Sequence, residues 1–360
     1  MKNESAVIER CLNSLKSFIH HWVIVDTGST DGTQDIIRRT LSSIPGELYE
    51  RPWVNFGFNR TEALLLSKGK GDYVFVIDAD EYLELPSNFN ANLTADRYTL
   101  LVNFDGVSYH RACLLKNTIF WEYVGVLHEY VDAKIPFTET FLPGPTIIVK
   151  TDGFRSTSMS QQEKFAKDAE VLEQALVLEP NNSRYMFYLA QSYRDSYQFE
   201  KAREMYLKRV ALGGWQEEVW FSMFQAAIIA DYLGMPEAVV LNELLLAYNF
   251  RPWRAETLVE LARICRNKSL YSLAFLFSKQ AHIMKKPDDK LFVDDACYEW
   301  RALDEYALAC YWTGNFQVSI AMCDKLLVRD LPESERIRIK NNRQFALAAI
   351  NNTNSTQDKS

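Results

Sequence analysis

Residues 22–33 read Trp22-Val23-Ile24-Val25-Asp26-Thr27-Gly28-Ser29-Thr30-Asp31-Gly32-Thr33. Four apolar, mostly β-branched residues predict a short buried strand that stops at Asp26, and the glycine- and hydroxyl-rich turn hands the chain to a helix starting near Asp31. Upstream, residues 3–18 carry Val7, Ile8, Cys11, Leu12, Leu15 and Phe18 at helical spacing. Downstream, residues 56–68 read as helix and residues 73–77 as a second buried strand. Residues 98–104 and 107–115 read as strands joined by Asp105-Gly106, the signature of a hairpin. Short strands alternating with amphipathic helices up to about residue 150 predict an α/β layer built on a largely parallel sheet.

Beyond that point the period is helical throughout. Leu189-Ala190, Tyr193, Phe199, Ala202 and Tyr206 set a frame that returns as Leu261-Ala262, Cys265, Tyr271, Ala274 and Ala281. It returns again as Tyr306-Ala307, Cys310, Gly314, Phe316, Ser319 and Leu326, with a looser copy at Trp220, Met223 and Ala227. This is the spacing of tetratricopeptide repeats, whose helix pairs bury their apolar faces only by stacking into an α-solenoid. The expected organisation is residues 1–155 as an α/β domain, 156–350 as an all-α repeat domain entered by a helix over residues 161–178, and a disordered tail at 351–360, rich in Asn, Ser and Thr.

A chain of 360 residues with 24% charged side chains and a formal net charge of -7 is a folded globular protein with no global positive field, which argues against nucleic-acid binding. No apolar run reaches the length of a membrane span, and the opening Met-Lys-Asn-Glu-Ser has no signal-peptide pattern, so the expected location is cytoplasmic or peripheral to a membrane. The six cysteines include no CxxC pair and read as reduced core residues. Triplets such as Asn59-Arg60-Thr61 and Asn92-Leu93-Thr94 fit the glycosylation pattern but need a secretory route to matter.

Three segments carry chemistry. At the mouth of the first strand, Asp26 can accept a hydrogen bond from a nucleotide base and Gly28 lets a ligand approach the backbone; equally, Ser29, Thr30 or Asp31 there can simply cap a helix. Asp78-Ala79-Asp80-Glu81 follows the second buried strand. If the extended backbone continues, its two-residue period puts both aspartates on one side, where they can share Mg²⁺ or Mn²⁺ with a ribose or diphosphate; solvated acidic turns produce the same triplet. Leu127-His128-Glu129, with Arg111 upstream, offers a third metal ligand and a general base, or else one packed and one solvated strand residue.

Together these pieces resemble the family 2 glycosyltransferases of GT-A fold, in the branch fused to tetratricopeptide repeats. The residues that carry the resemblance are Lys2-Asn3-Glu4, residues 22–33, Arg51-Pro52-Trp53, Phe58-Asn59-Arg60, Asp78-Ala79-Asp80-Glu81 and Leu127-His128-Glu129. The resemblance implies a GT-A-like open sheet flanked by helices and a nucleotide-sugar donor held by Glu4, Asp26, Gly28, Ser29, Asp31, Asp78 and Arg111. It further implies a divalent metal, Mn or Mg, on Asp78, Asp80 and His128, with Glu129 as catalytic base and Asp105, Glu122, Asp132 and Asp152 as rivals for that role. The reaction it implies inverts the anomeric centre. Acceptors of the expected classes are a glycan, a lipid-linked saccharide or a protein, with the repeats binding a partner or acceptor or self-associating. The family places an apolar strand directly before Lys-Asn-Glu, whereas Met1 stands there in this chain, which implies a miscalled start, a truncation or a sheet that closes differently. The competing expectation is an inactive transferase-like domain on a repeat scaffold. Sugar-nucleotide pyrophosphorylases share the open sheet but open with a basic glycine-rich loop that this sequence lacks.

Overall fold

The computed structural model describes residues 1–87, 89, 90, 92–104 and 107–357. The Asp105-Gly106 turn therefore lies outside the described residues, as do the last three positions. The chain divides into two compact units, Met1–Tyr197 and Gln198–Ser360.

The first unit opens with α1 (Ile8–Leu15), β1 (Trp22–Asp26), α2 (Thr33–Thr40), β2 (Gly46–Glu50), α3 (Phe56–Leu66) and β3 (Tyr73–Phe75). It continues with β4 (Glu81–Glu84), β5 (Arg97–Phe104), β6 (Val107–Lys116), β7 (Glu122–Val124), β8 (Tyr130–Asp132) and β9 (Glu139–Val149), then α4 (Phe154–Thr157), α5 (Gln161–Leu178) and α6 (Ser183–Asp195). The helical face of α1 buries Ile8, Cys11, Leu12 and Leu15 together with Ile37 and Leu41, against Leu83 of β4, Tyr98, Leu100 and Val102 of β5, and Ile147 of β9. Alternate residues of a strand point to one face, and those three from the central strand β5 form the floor of this core.

The largely parallel sheet expected from the sequence is not what forms. β1 and β2 make a two-stranded parallel pair, and a separate five-stranded mixed sheet runs β3-β6-β5-β9-β4, in which only β5 and β9 are parallel. The other edge of β1 is occupied by Met1: its nitrogen donates to Val25 O at 3.0 Å, and its carbonyl accepts from Thr27 N at 2.8 Å. Asp26 meanwhile faces β2, accepting from Arg51 N, because successive residues of a strand turn their polar groups to opposite edges. Strand β9 has no counterpart in the sequence reading. Its Pro143 and Pro145 read as breakers, yet the ladder accommodates them by shifting register opposite Thr99 and Leu101.

The second unit contains α7 (Phe199–Ala211), α8 (Gln216–Tyr232), α9 (Glu237–Phe250), α10 (Glu256–Asn267), α11 (Tyr271–Ala281), a π-helical turn at Cys297–Arg301, α12 (Ala302–Trp312), α13 (Phe316–Leu327) and α14 (Glu333–Gln357). Each helix packs on the next, and α10, α12 and α14 also contact across alternate positions, as in stacked helical hairpins. Repeat-frame residues Ala202, Tyr206, Ala227, Leu261, Ala262, Cys265, Ala274, Cys310 and Leu326 are fully buried. Three hairpins end their first helix identically. Gly234, Ser269 and Gly314 adopt left-handed backbone, and the next N–H returns to the carbonyl of Ala230, Cys265 and Cys310, respectively, closing a Schellman motif. All six cysteines are buried and unpaired.

Two boundaries differ from expectation. The contact division falls at residues 197/198, not 155/156, because α5 and α6 are tied to the sheet unit: Arg155 pairs with Asp168, and Arg184 donates to His128 O at 2.7 Å. At the other end, α14 runs to Gln357, where a disordered tail was expected. No glycine or proline interrupts residues 346–357, so nothing in the backbone chemistry stops the helix.

Candidate active site

The first acidic tip is built by two laced loops. Asn3 N donates to Ser29 Oγ at 2.8 Å, Thr30 N to Asn3 Oδ1 at 2.9 Å, Glu4 N to Thr33 Oγ1 at 2.9 Å, and Ser5 N to Asp31 Oδ2 at 3.0 Å. Asp26 lies fully buried beneath them. Its carboxylate accepts from Gly28 N (3.1 Å), Ser29 N (2.9 Å), Gln34 Nε2 (2.9 Å) and the Ser29 hydroxyl. Burial would raise its pKa, but the bonds from Ser29, Gly28 and Gln34 outweigh that and hold it below the ordinary carboxylate range. Gly28 sits at φ +96°, where a side chain would be strained. Asp31 caps α2 through Thr33 N and Oγ1, and these bonds with those from Ser5 overcome desolvation to bring its pKa to about 2. In this structure the carboxylates of Asp26 and Asp31 serve the turn itself.

The second tip does not continue as extended backbone. Glu81 N bonds Asp78 O at 3.2 Å, so residues 78–81 form a tight turn before β4, and the expected two-residue alternation of the aspartates gives way to that turn. Asp78 Oδ1 accepts from Arg60 Nη2 at 2.5 Å, and Glu129 Oε1 from Arg60 Nε at 2.6 Å. Arg60 thus joins the turn after β3 to the loop between β7 and β8. Burial opposes ionisation of Asp78, but Arg60 first and Arg111 next keep its pKa low. Glu81, 2% exposed, takes both Arg111 Nη1 (2.8 Å) and Nη2 (2.5 Å) in a fork and accepts Asp78 N at 3.1 Å. Arg111, expected at the donor diphosphate, is therefore engaged by Glu81.

Asp80 is the exception. Its burial, then Asp78, with Glu81 and Glu4 also contributing, raises its pKa to about 6, and no ion pair among the described residues compensates it. A strap over residues 152–154 crosses it. Arg10 forks onto Asp152 at 2.6 and 2.8 Å and donates to Asp80 O; a Cβ on Gly153 would come within 2.9 Å of Asp80 Oδ2; Phe154 N donates to Glu4 Oε2 at 3.1 Å. Glu4 itself is raised, mainly by burial.

The loop between β7 and β8 carries His128 and Glu129. Val124 pairs with Tyr130 at the hairpin's end, leaving residues 125–129 as the connection. The start of α3 approaches it so closely that a Cβ on Gly57 would stand 2.2 Å from Gly125 O. His128 adopts φ +52° and stacks on Tyr188 with ring centroids 3.9 Å apart. Desolvation against these neighbours, followed by Arg184, Arg155 and Lys164, pushes its pKa down to about 4. Of the rival bases, Glu122 pairs with Lys134, Asp132 accepts Ala133 N, Asp152 is held by Arg10, and Asp105 lies outside the described residues.

The donor chemistry suits a divalent cation in part. Asp80, beside the like charges of Asp78, Glu81 and Glu4 and without a salt bridge among the described residues, is the group that a hard cation relieves, although the Arg10 guanidinium lies near enough to interact with it. His128 does not join them: among the described residues, no group of three or more His, Cys, Asp or Glu side chains could hold a metal ion. Arg60, Glu81 and Arg10 were not assigned roles from sequence. The signals for Glu81 and Arg60 are their places in Asp78-Ala79-Asp80-Glu81 and Phe58-Asn59-Arg60, which carry the resemblance without a role; Arg10 on α1 has none.

Residues 1–85 match the model of glycosyl transferase family 2. The chain is 25% identical over 229 residues to the SPbeta prophage-derived glycosyltransferase SunS of Bacillus subtilis, covering 58% of this chain and 50% of that protein. It is 34% identical over 102 residues, 27% of this chain and 33% of the relative, to an uncharacterized glycosyltransferase of Rickettsia bellii. The chain thus spans about half the length of the first of these relatives and less of the second. Among solved structures, it is similar to the C-terminal part of a TPR repeat-containing protein from Cytophaga hutchinsonii, at 13% identity with a TM-score of 0.41, over 52% of this chain and 67% of that one. No helix among the described residues is long and apolar enough to cross a membrane.

Proposed function

We propose that the chain is a metal-dependent, inverting glycosyltransferase that moves a sugar from a nucleotide-sugar donor to a glycan, a lipid-linked saccharide or a protein acceptor. The observation that carries the reading is Asp80, set beside Asp78 with no salt bridge among the described residues, in a chain whose first 85 residues match glycosyl transferase family 2. In this reading the donor lies across the carboxyl ends of β1 and β3, where ligands of open α/β layers collect. Glu4 and the Gly28-Ser29 backbone border the nucleotide, and Asp78, already fixed by Arg60, meets the ribose. Mg²⁺ or Mn²⁺ held by Asp80 and Asp78 supplies neutralisation of the departing diphosphate.

Glu129 takes the proton of the acceptor hydroxyl while that oxygen bonds to the anomeric carbon. The bond from that carbon to the diphosphate oxygen breaks, its electron pair leaves with the nucleoside diphosphate, and the configuration inverts. Arg60 holds Glu129 in place and links its position to that of Asp78. The helical array contributes a partner- or acceptor-binding surface.

The test is nucleoside diphosphate release by the purified full chain with a panel of nucleotide sugars and Mn²⁺. Release by wild type that falls by at least a hundredfold in Asp80→Ala and in Glu129→Gln supports the reading. No release with any donor, or release unchanged by Asp80→Ala, overturns it.

A further inference from the structure

Helix α6 lies in the same compact unit as the acidic tips, and one of its faces follows the loop that carries Glu129. Tyr188 stands four residues after Arg184 and three after Tyr185, so it neighbours each of them on the helix surface. Tyr185 is buried on this helix. Arg184 Nη2 donates to His128 O at 2.7 Å, and its guanidinium lies 5.0 Å from the Tyr130 ring centroid and 4.9 Å from that of Tyr188. Tyr188 stacks on the His128 ring at an interplanar angle of 12°. Residues 128 and 130 are thereby each gripped by α6, while residue 129 between them turns to Arg60 of α3.

His128 needs such a grip. Its φ of +52° lies in the left-handed region, which a residue with a Cβ visits at a modest cost that the contacts from α6 offset. The left-handed turn at His128 aims the following residue, Glu129, toward Arg60.

We propose that Arg184 and Tyr188 are positioning residues for the transfer reaction: from the helical side, they lock the His128 turn so that the Glu129 carboxylate is presented to the acceptor hydroxyl. This rests on the glycosyltransferase reading above and extends it by making α6 part of the catalytic machinery rather than of a separate repeat domain. A misplacement of about 1 Å at a catalytic group can cost on the order of a hundredfold in rate. Donor binding is assigned to other elements, so the loss falls on kcat.

The experiment compares full-length wild type with Tyr188→Ala, Tyr188→Phe, Arg184→Ala and Arg184→Lys. It measures kcat and donor KM by nucleoside diphosphate release, and amide hydrogen exchange over residues 126–130. Expected are a kcat at least tenfold lower in both alanine variants, donor KM within about twofold of wild type, faster exchange confined to the loop, and recovery of most of the rate in Tyr188→Phe, which keeps the stacked ring. An active wild type whose kcat survives Tyr188→Ala overturns the proposal. So does an active wild type whose Tyr188→Phe variant is as impaired as Tyr188→Ala, since the lost function is then not ring stacking. A wild type that turns over no donor overturns the transferase reading itself, and the positioning role falls with it; the two failures are told apart by whether wild type is active.

Discussion

At the end of β1, Asp26 is fully buried and accepts four hydrogen bonds from its own turn and from Gln34, whereas after β3, Asp80 faces Asp78, Glu81 and Glu4 with no ion-pair partner among the described residues. Both are aspartates at the mouth of a strand in the same unit, yet one has a lowered pKa and the other a raised one. Hydrogen-bond donors decide the difference. A carboxylate met by N–H and O–H groups stays charged despite burial, while one met by other carboxylates holds its charge poorly until a cation arrives. The Asp26 carboxylate is therefore spent on holding its own turn, whereas on the reading proposed above Asp80 keeps a capacity to bind a cation.

The contrast predicts opposite mutational signs. Asp26→Asn keeps an oxygen for Gly28 N, Ser29 N and Gln34 Nε2, which all donate to Oδ2, but sets an amide nitrogen against the Ser29 hydroxyl and removes the charge those donors meet, and should destabilise the unit by about 1–3 kcal/mol in urea unfolding. A variant as stable as wild type would break the comparison. Gln34→Ala removes one of the four bonds to Asp26 and should cost about 1 kcal/mol in the same measurement, sharpening how the load is shared. The pH dependence follows from the direction of each shift. Asp26 is held below its unfolded value, so its stabilisation is present above the unfolded pKa of 3.8 and is lost as pH falls through the lower folded value.

The sequence discloses some of this and conceals the rest for physical reasons. β1, α3, α5 and the repeat frame are legible because each is a local periodicity: an apolar run ended by a turn, or an amphipathic stripe with a cap such as Ser160, whose hydroxyl accepts Glu163 N while Glu163 reaches back. Strand β9 is hidden because its prolines are local signals against a strand, overridden by pairing with β5 and β4. The turn at residues 78–81 is hidden because alternation is assumed until a backbone bond from Glu81 to Asp78 interrupts it. The ties Arg60–Asp78, Arg60–Glu129 and Arg184–His128 join positions far apart in the chain, and no spacing rule reaches across such distances. The motif aspartates, Glu129 and Arg60 stand in sequence motifs, but that Arg60 ties Asp78 to Glu129 is shown only by the structure.

The account turns on Asp80 carrying a charge that no salt bridge among the described residues neutralises. Its folded pKa of about 6 stands above the unfolded 3.8, so wild type should lose stability as pH rises from about 4 to about 6 and remain lower above that. The decisive measurement is urea unfolding of wild type and Asp80→Asn across that range with chelator present. The neutral variant should be more stable by about 1–2 kcal/mol at pH 7, after allowance for solvent screening, with the difference vanishing below about pH 4. An Asp80→Asn chain that is less stable than wild type at pH 7, or equal to it, would show that the carboxylate is already satisfied and would contradict the account.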